Sequence, residues 1–338
     1  MANEKETTST VIPPVLIPEE RTDTGSEDDK DNKASINMSP LAVIPNPVGA
    51  SKDKIVLISC SNLKTLTFQH RTLSGDVGLT LSSQDGDSAA ATVLAYPSSL
   101  TAMVFGDTLC VFGVTGNEGN YKISLVSPAY QPASHLSPKT TSLAGFSRGS
   151  TQGYLYYQGL KDDAVAIKEW AFTSAGKMRN SAVDVTTITS ILPGTQPAAA
   201  TDEKRNRWLA YQQADGRIGV HNGRTGLNYA IDSSPYIYVY FVDLLNRVRV
   251  AVSAIGSDEN NALSFTVDEP KPTFASREGP TAHIKVHDWS QLAAVPYATR
   301  VDPDDEDATK VKPCNLLFGV TQDGESGISQ IECDEWSK

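Results

Sequence analysis

The sequence predicts an all-β protein, a six-bladed β-propeller that follows an acidic N-terminal tail. Two observations carry this reading. Six short strand-like leads of small and aliphatic residues recur along the chain, at Pro40–Ile44, Leu100–Phe105, Ser142–Phe146, Pro197–Thr201, Tyr236–Phe241 and Leu292–Val295. Each precedes two alternating runs joined by turn residues, as in Trp208–Gln213, the turn Ala214–Gly216 and Arg217–His221. A repeat of about 40 to 60 residues that holds strands and no helices cannot bury both of its faces alone, so the repeats are expected to close into a ring.

Taken in order, residues 1–37 are rich in Ser, Thr, Glu, Asp and Lys around Glu27–Asp31 and offer little to bury, which predicts a disordered tail. Within it Val11–Pro18 is an apolar island whose prolines cannot feed a sheet ladder, so it is expected to run extended and loose, with docking on the propeller as the alternative. Residues 38–338 form the propeller. Their leads suit the innermost strands, where six chains converge on a central channel, and the second strands carry the aromatics. Tyr154, Tyr156, Tyr157 and Gln158 fall where Tyr211 and Gln212 fall in the next repeat. Long insertions at Asp268–Phe274 and Asp302–Asp307 are expected to be surface loops.

Composition narrows the function. A net charge of -11 disfavours binding to a phosphate backbone, so nucleic acid is not an expected partner. No run approaches the roughly 18 apolar residues of a membrane span, and residues 1–10 lack the basic opening and apolar core of a secretory signal. A soluble, cytoplasmic protein is expected. The four cysteines, Cys60, Cys110, Cys314 and Cys333, have no metal-like spacing and are read as reduced thiols packed in strands. Cys314 and Cys333 could lie across one hairpin, but a cytoplasmic setting argues against a bridge.

The run Gly153–Gln158, a polar turn and Ile167–Trp170 resemble a repeat of the fungal fucose-specific lectins, which are six-bladed propellers. Trp208–Gln212 with Ile218, and Val248–Val252 with Leu263–Phe265, are similar. The likeness covers Pro40 to Trp336. In that family each sugar site needs an Arg near the start of a second strand and a Glu on the third, with an aromatic from the adjoining blade. Guanidinium and carboxylate together satisfy the ring oxygen and hydroxyls of the sugar, and losing either leaves a polar group unpaired at about 1 to 3 kcal/mol.

Aligned to this pattern, the Arg position holds Val56, Cys110, Tyr154, Trp208, Arg249 and Leu316, and the Glu position holds Thr67, Leu125, Glu169, Val220, Ser264 and Gln330. Arg249 lacks its Glu and Glu169 lacks its Arg, so no blade keeps both. A second group of fungal propellers is similar in fold to these lectins. These pericyclases join an ortho-quinone methide to a sesquiterpene olefin by a hetero-Diels–Alder reaction in meroterpenoid biosynthesis. The likeness to them lies in the shared fold and the eroded sugar residues.

Such a cycloaddition requires no nucleophile, metal or redox cofactor. It needs an apolar cavity that holds two reactants in a near-attack arrangement and a donor to an oxygen on which charge builds. On this reading Arg249, His221 and Tyr211 are the catalytic candidates, and Tyr156, Tyr157, Trp208, Glu169 and Trp170 the substrate-binding ones. The bland alternative is that the aromatics are ordinary packing between blades and that His221, beside the turn signal Asn222–Gly223, is solvated.

Other constellations say less. His283 and His287 with Asp288 would face one side of a helix, but the run alternates as a strand and offers no third metal ligand. Ser147–Ser150 has no base that sequence can place beside it, and Gly113–Gly119 is a hairpin loop without the helix of a phosphate loop. Arg247 and Arg249 share one strand face, which by default is solvated or ion-paired. The expectation is therefore a cofactor-independent pericyclase taking apolar small molecules. The alternative is a lectin for fucosylated glycans with few or altered sites, and a plain interaction scaffold is a third reading. Outer strands could pair at their edges to give a homodimer.

Overall fold

The computed structural model describes residues 10–11, 40–47, 55–61, 65–71, 77–82, 94–95, 99–133, 136–148, 151–173, 182–185, 188, 190–201, 207–223, 236–242, 247–254, 266–268, 291–300, 311–320 and 328–335. Among the described residues twenty-two strands make six antiparallel sheets, one for each predicted repeat. Blade 1 is β2 (Leu41–Pro45), β3 (Ile55–Ser61), β4 (Thr65–Arg71) and β5 (Val77–Ser82). Blade 2 is β6 (Leu100–Phe105), β7 (Thr108–Thr115), β8 (Lys122–Ser127) and β9 (Gln131–Ala133). Blade 3 is β10 (Leu143–Arg148), β11 (Gln152–Lys161), β12 (Ala164–Thr173) and β13 (Val183–Asp184).

In blade 4, β14 (Ala198–Thr201), β15 (Arg207–Gln212) and β16 (Ile218–Gly223) are completed by β1 (Thr10–Val11), a strand from the segment expected to be loose. Its register sets Thr10 opposite Val220 and Val11 opposite Gly219. Blade 5 is β17 (Tyr236–Val242), β18 (Val248–Ala254) and β19 (Thr266–Asp268), and blade 6 is β20 (Ala293–Arg300), β21 (Val311–Val320) and β22 (Ile328–Glu335). The six predicted leads are the six inner strands. The histidine pair His283 and His287, the loops 268–274 and 302–307, and Ser264 lie outside the described residues apart from Asp268.

Turn chemistry fixes the hairpins. Gly106 and Asp107 join β6 to β7 with φ of 56° and 61°, and Asp162 and Asp163 join β11 to β12 with φ of 49° and 64°. Two consecutive residues in the left-handed region match the twist of the flanking strands, and glycine and aspartate adopt it at low cost. The loop at Gly116 and Gly119 is a turn, as expected.

Alternation along each strand sends successive side chains to opposite neighbours, so blades 2, 3 and 4 pack on both faces. On one side of blade 3, Leu155, Tyr157, Trp170 and Phe172 meet Met103, Phe112 and Ile123 of blade 2. On the other, Phe146, Tyr154, Tyr156 and Ile167 meet Leu209 and Tyr211 of blade 4. Trp208, Ile218 and Val220 in turn meet Val239 and Ala251 of blade 5. Cys60 and Cys110 are buried, and burial pushes the Cys60 thiol up to about 12. Register places Cys314 opposite Glu335 and Cys333 opposite Leu316, so the two are not directly opposed.

Side chains also staple neighbouring inner strands. The Ser99 hydroxyl accepts from Leu143 N and donates to Thr141 O, both at 2.8 Å, and Thr101 Oγ1 donates to Gly145 O at 3.0 Å. Gln158 donates to Thr195 O at 3.0 Å and accepts from Gly194 N at 2.9 Å. Where the ring closes, Gln291 Oε1 accepts from Leu41 N at 2.9 Å and Leu100 N at 3.4 Å, while its Nε2 donates to Leu100 O at 3.2 Å.

Candidate functional site

A buried polar cluster lies between blades 3 and 4. Glu169 on β12 stands directly opposite Tyr156 on β11, and the Tyr156 hydroxyl donates to Glu169 Oε2 at 2.9 Å. Arg207, at the start of β15, crosses the blade boundary and donates from Nη1 to the same oxygen at 2.5 Å. Its Cζ lies 5.1 Å from the centroid of the Tyr154 ring, against which Phe146 stacks at 5.4 Å on the β10 side. Glu169 Oε1 has no hydrogen-bond partner among the described residues.

The local folding that builds this cluster follows from alternation. Arg207, Leu209 and Tyr211 share one face of β15, and Gly219 and His221 pair with Tyr211 and Leu209 on the same face of β16. Gly219 is required there, because a Cβ would come within 2.5 Å of the Tyr211 ring. The strand continues through Gly223, so His221 does not end at a turn as the sequence suggested. It is half-buried and coupled to the ion pair.

Electrostatics reflect the burial. Side chains of Arg207 and Glu169 keep 20% and 11% of their exposure, so a ligand can reach them while water is largely displaced. Burial pulls the Arg207 guanidinium down, but Glu169 and Tyr156 outweigh it and leave it above its ordinary value. Tyr156 is pushed far up by burial and then by Glu169, and it stays a neutral donor.

Burial first, then Arg207, holds His221 below its ordinary value of 6.5, with Glu169 pulling the other way. The unfolded chain therefore takes up a proton that the folded chain refuses. The stability His221 supplies is full above about pH 6.5 and is lost as pH falls through its lower folded value. Wild-type protein should lose more Tm between pH 7 and pH 5 than His221→Asn, and equal slopes would show that His221 is not the group responsible.

The residues proposed from sequence fall on three different boundaries. Tyr156, Glu169, Tyr211 and His221 do come together between blades 3 and 4. Tyr157 and Trp170 face blade 2 instead, at 4% and 3% exposure, because they are one residue out of phase with Tyr156 and Glu169. Burial and then Asp184 push Tyr157 up to about 12. Trp208 is one residue out of phase with Arg207 and faces blade 5.

The register also corrects the repeat alignment. Leu125, Val220 and Gln330 stand opposite Phe112, Ala210 and Phe318 as Glu169 stands opposite Tyr156, but in blade 1 the matching residue is Phe68, opposite Ile58, and not Thr67. Arg249 stands opposite Phe241, two residues before Ala251, which pairs with Val239. Arg207 stands opposite Thr201, two residues before Leu209, which pairs with Ala199. Arg249 is thus the equivalent of Arg207, not of Trp208. Sequence reasoning missed Arg207 and left Glu169 without an arginine, although the partner was visible one residue before Trp208 in the next repeat.

An apolar cavity of about 190 Å3 lies at the next boundary, between blades 4 and 5. Ala198, Ala210, Ile218, Val239 and Phe241 line it, with Gln196, Gln212 and Tyr240 among its polar lining. Tyr240 accepts a hydrogen bond from Asn315 Nδ2 at 2.8 Å.

No family model matches the chain, and no curated protein matches it by sequence. Solved structures do match by shape. AofleA from Arthrobotrys oligospora is 12% identical with a TM-score of 0.53, covering 89% of this chain and 87% of its own. A triple arginine-to-alanine mutant of AofleA is 13% identical over the same shares with a TM-score of 0.54. The fucose-specific lectin of Aleuria aurantia, a six-bladed β-propeller, is 13% identical with a TM-score of 0.48, covering 87% of this chain and 96% of its own. At such identities the likeness speaks to fold alone, and with six sheets in its own architecture the chain is a six-bladed β-propeller similar in fold to AofleA.

Proposed function

We propose that the protein binds a carbohydrate of the fucosylated class at a single site between blades 3 and 4. The observation that carries this reading is the Glu169–Arg207 pair, formed across the blade boundary beside Tyr156 and Tyr154. A sugar hydroxyl can donate to Glu169 Oε1, and the positive Arg207 guanidinium beside it favours an electron-rich ring or hydroxyl oxygen. Both charges are held in place before the ligand arrives, by Tyr156 on one side and the Tyr154 ring on the other. The glycan affinity of the Aleuria lectin agrees with the class of ligand, and the site itself is argued from this chain alone.

Calorimetric titration with L-fucose, methyl fucoside and fucosylated oligosaccharides tests it. One site per chain is expected, weakened at least tenfold in Glu169→Gln, in line with about 1 to 3 kcal/mol for a polar group left unpaired. Heat changes absent from the wild type at millimolar sugar would end the lectin reading.

The apolar cavity between blades 4 and 5 favours a second reading, the cofactor-independent hetero-Diels–Alder cycloaddition. At about 190 Å3 it is smaller than the roughly 300 to 1,000 Å3 of sites that enclose a drug-sized ligand, so it ranks behind the first. Conversion of quinone methide and olefin at the background rate, with unchanged stereochemistry, would end it.

A further inference from the structure

Blades 3 and 4 are built to one register, and a volume that is filled at the first boundary is empty at the next. Tyr156 pairs with Ala144 and Glu169 in blade 3 as Ala210 pairs with Ala198 and Val220 in blade 4. Two residues further on, Gln158 stands opposite Ile167 as Gln212 stands opposite Ile218. Backbone bonds repeat the match, since Lys139 N donates to Gln158 O at 2.8 Å and Leu192 N donates to Gln212 O at 3.0 Å. On β11 and β15 these positions face the following blade.

The two glutamines have different surroundings. Gln158 is buried, with Nε2 donating to Thr195 O at 3.0 Å and Oε1 accepting from Gly194 N at 2.9 Å. Gln212 Nε2 makes one long bond, to Gly216 O at 3.5 Å in its own hairpin, and its Oε1 accepts none from the described residues. Beside it Ala210 stands where blade 3 has the Tyr156 ring, and the cavity of about 190 Å3 lies there. Ala210, Gln212 and Ile218 line it from blade 4, and Val239 and Phe241 from blade 5. None of the described residues that line it carries a charge. An apolar cavity of about 150 Å3 is enough for a benzene ring, so this one takes a single ring with a polar substituent.

We infer that the cleft between blades 4 and 5 binds a small uncharged phenol, whose ring packs on Ala210, Ile218, Val239 and Phe241 and whose hydroxyl donates to Gln212 Oε1. The hydroxyl replaces its lost water with the amide oxygen, which is itself satisfied by the contact. An ionised ligand of the same shape would bring a charge that these lining residues do not compensate. This site is separate from the proposed sugar site, which lies on the other face of blade 4, and does not depend on it.

Titration calorimetry on the full chain with 4-methylphenol, 4-methylbenzoate and toluene tests this. Saturable binding of 4-methylphenol is expected, with 4-methylbenzoate about tenfold weaker or more. Gln212→Leu should weaken 4-methylphenol about tenfold, because its hydroxyl loses the acceptor, and should leave toluene within about twofold of wild type. Retained toluene binding shows that the cavity of the variant is intact. The comparison of phenol with benzoate on wild-type protein needs no variant to fold. No saturable 4-methylphenol binding at millimolar concentration, equal affinity for phenol and benzoate, or an equal change for 4-methylphenol and toluene in Gln212→Leu overturns the inference. Glu169→Gln should leave 4-methylphenol binding unchanged; a loss there would also overturn it, because the phenol would then sit in the proposed sugar site.

Discussion

Arg207→Ala is expected to abolish measurable sugar binding and to lower stability by about 2 to 3 kcal/mol, with a Tm several degrees below wild type. Removing one member of a buried ion pair leaves the other charge without compensation, which costs about 3 to 5 kcal/mol in a fully buried site. Here the side chains keep 20% and 11% of their exposure, and water screens part of that penalty. The guanidinium over the Tyr154 ring is lost as well, at about 0.5 to 1 kcal/mol. Arg207→Ala combined with Glu169→Gln should be less destabilised than Arg207→Ala alone, because the stranded charge has gone. Thermal melts of the wild type, the two single variants and the double variant measure this coupling. Additive losses would mean that the two residues do not act as a pair.

The second large effect is expected at the closure of the ring. Gln291 joins the end of the chain to its beginning, since it bonds Leu41 of blade 1 and Leu100 of blade 2 from a position just before β20. Among the described residues, β20 packs beside β2, and the Gln291 side chain bonds the backbone of both neighbouring inner strands. Gln291→Ala removes three hydrogen bonds and leaves backbone groups at the head of two inner strands unsatisfied. A loss of about 2 to 4 kcal/mol follows. Urea unfolding should show a lower midpoint with an unchanged slope. Gln291→Glu, which keeps the acceptor and loses the donor to Leu100 O, should fall between. An unchanged midpoint in Gln291→Ala would show that packing alone closes the ring.

The ring itself was legible because inner strands have a composition of their own. Ala198–Thr201 and Leu41–Ile44 are small or aliphatic for the same reason, the crowding of six strands around one axis. The hairpins were legible from Asp162 and Asp163 and their counterparts. The site was only half legible. Glu169 stands out in its repeat, but its partner belongs to another repeat, and a shift of one residue in a strand exchanges faces. Trp208 was therefore read in place of Arg207, and Arg249 was matched to the wrong neighbour. Tyr157 and Trp170 look like companions of Tyr156 and Glu169 in a linear reading, whereas the pleat sends them to the opposite blade. The pairing of Thr10 and Val11 with β16 has no local signal, since two residues in a polar tail carry no period.

That borrowed strand ties the fate of the chain's start to the blade that holds Arg207. Thr10 must wait until roughly two hundred more residues have been made before Val220 exists to receive it, a loop whose entropy cost grows only with the logarithm of its length. Until then the backbone of Gly219 and Val220 on that side lacks the strand that pairs with it. Bare edges recruit strands from other molecules. Thr10 and Val11 thus cover part of the outer edge of blade 4 that would otherwise offer its backbone to strands of other chains.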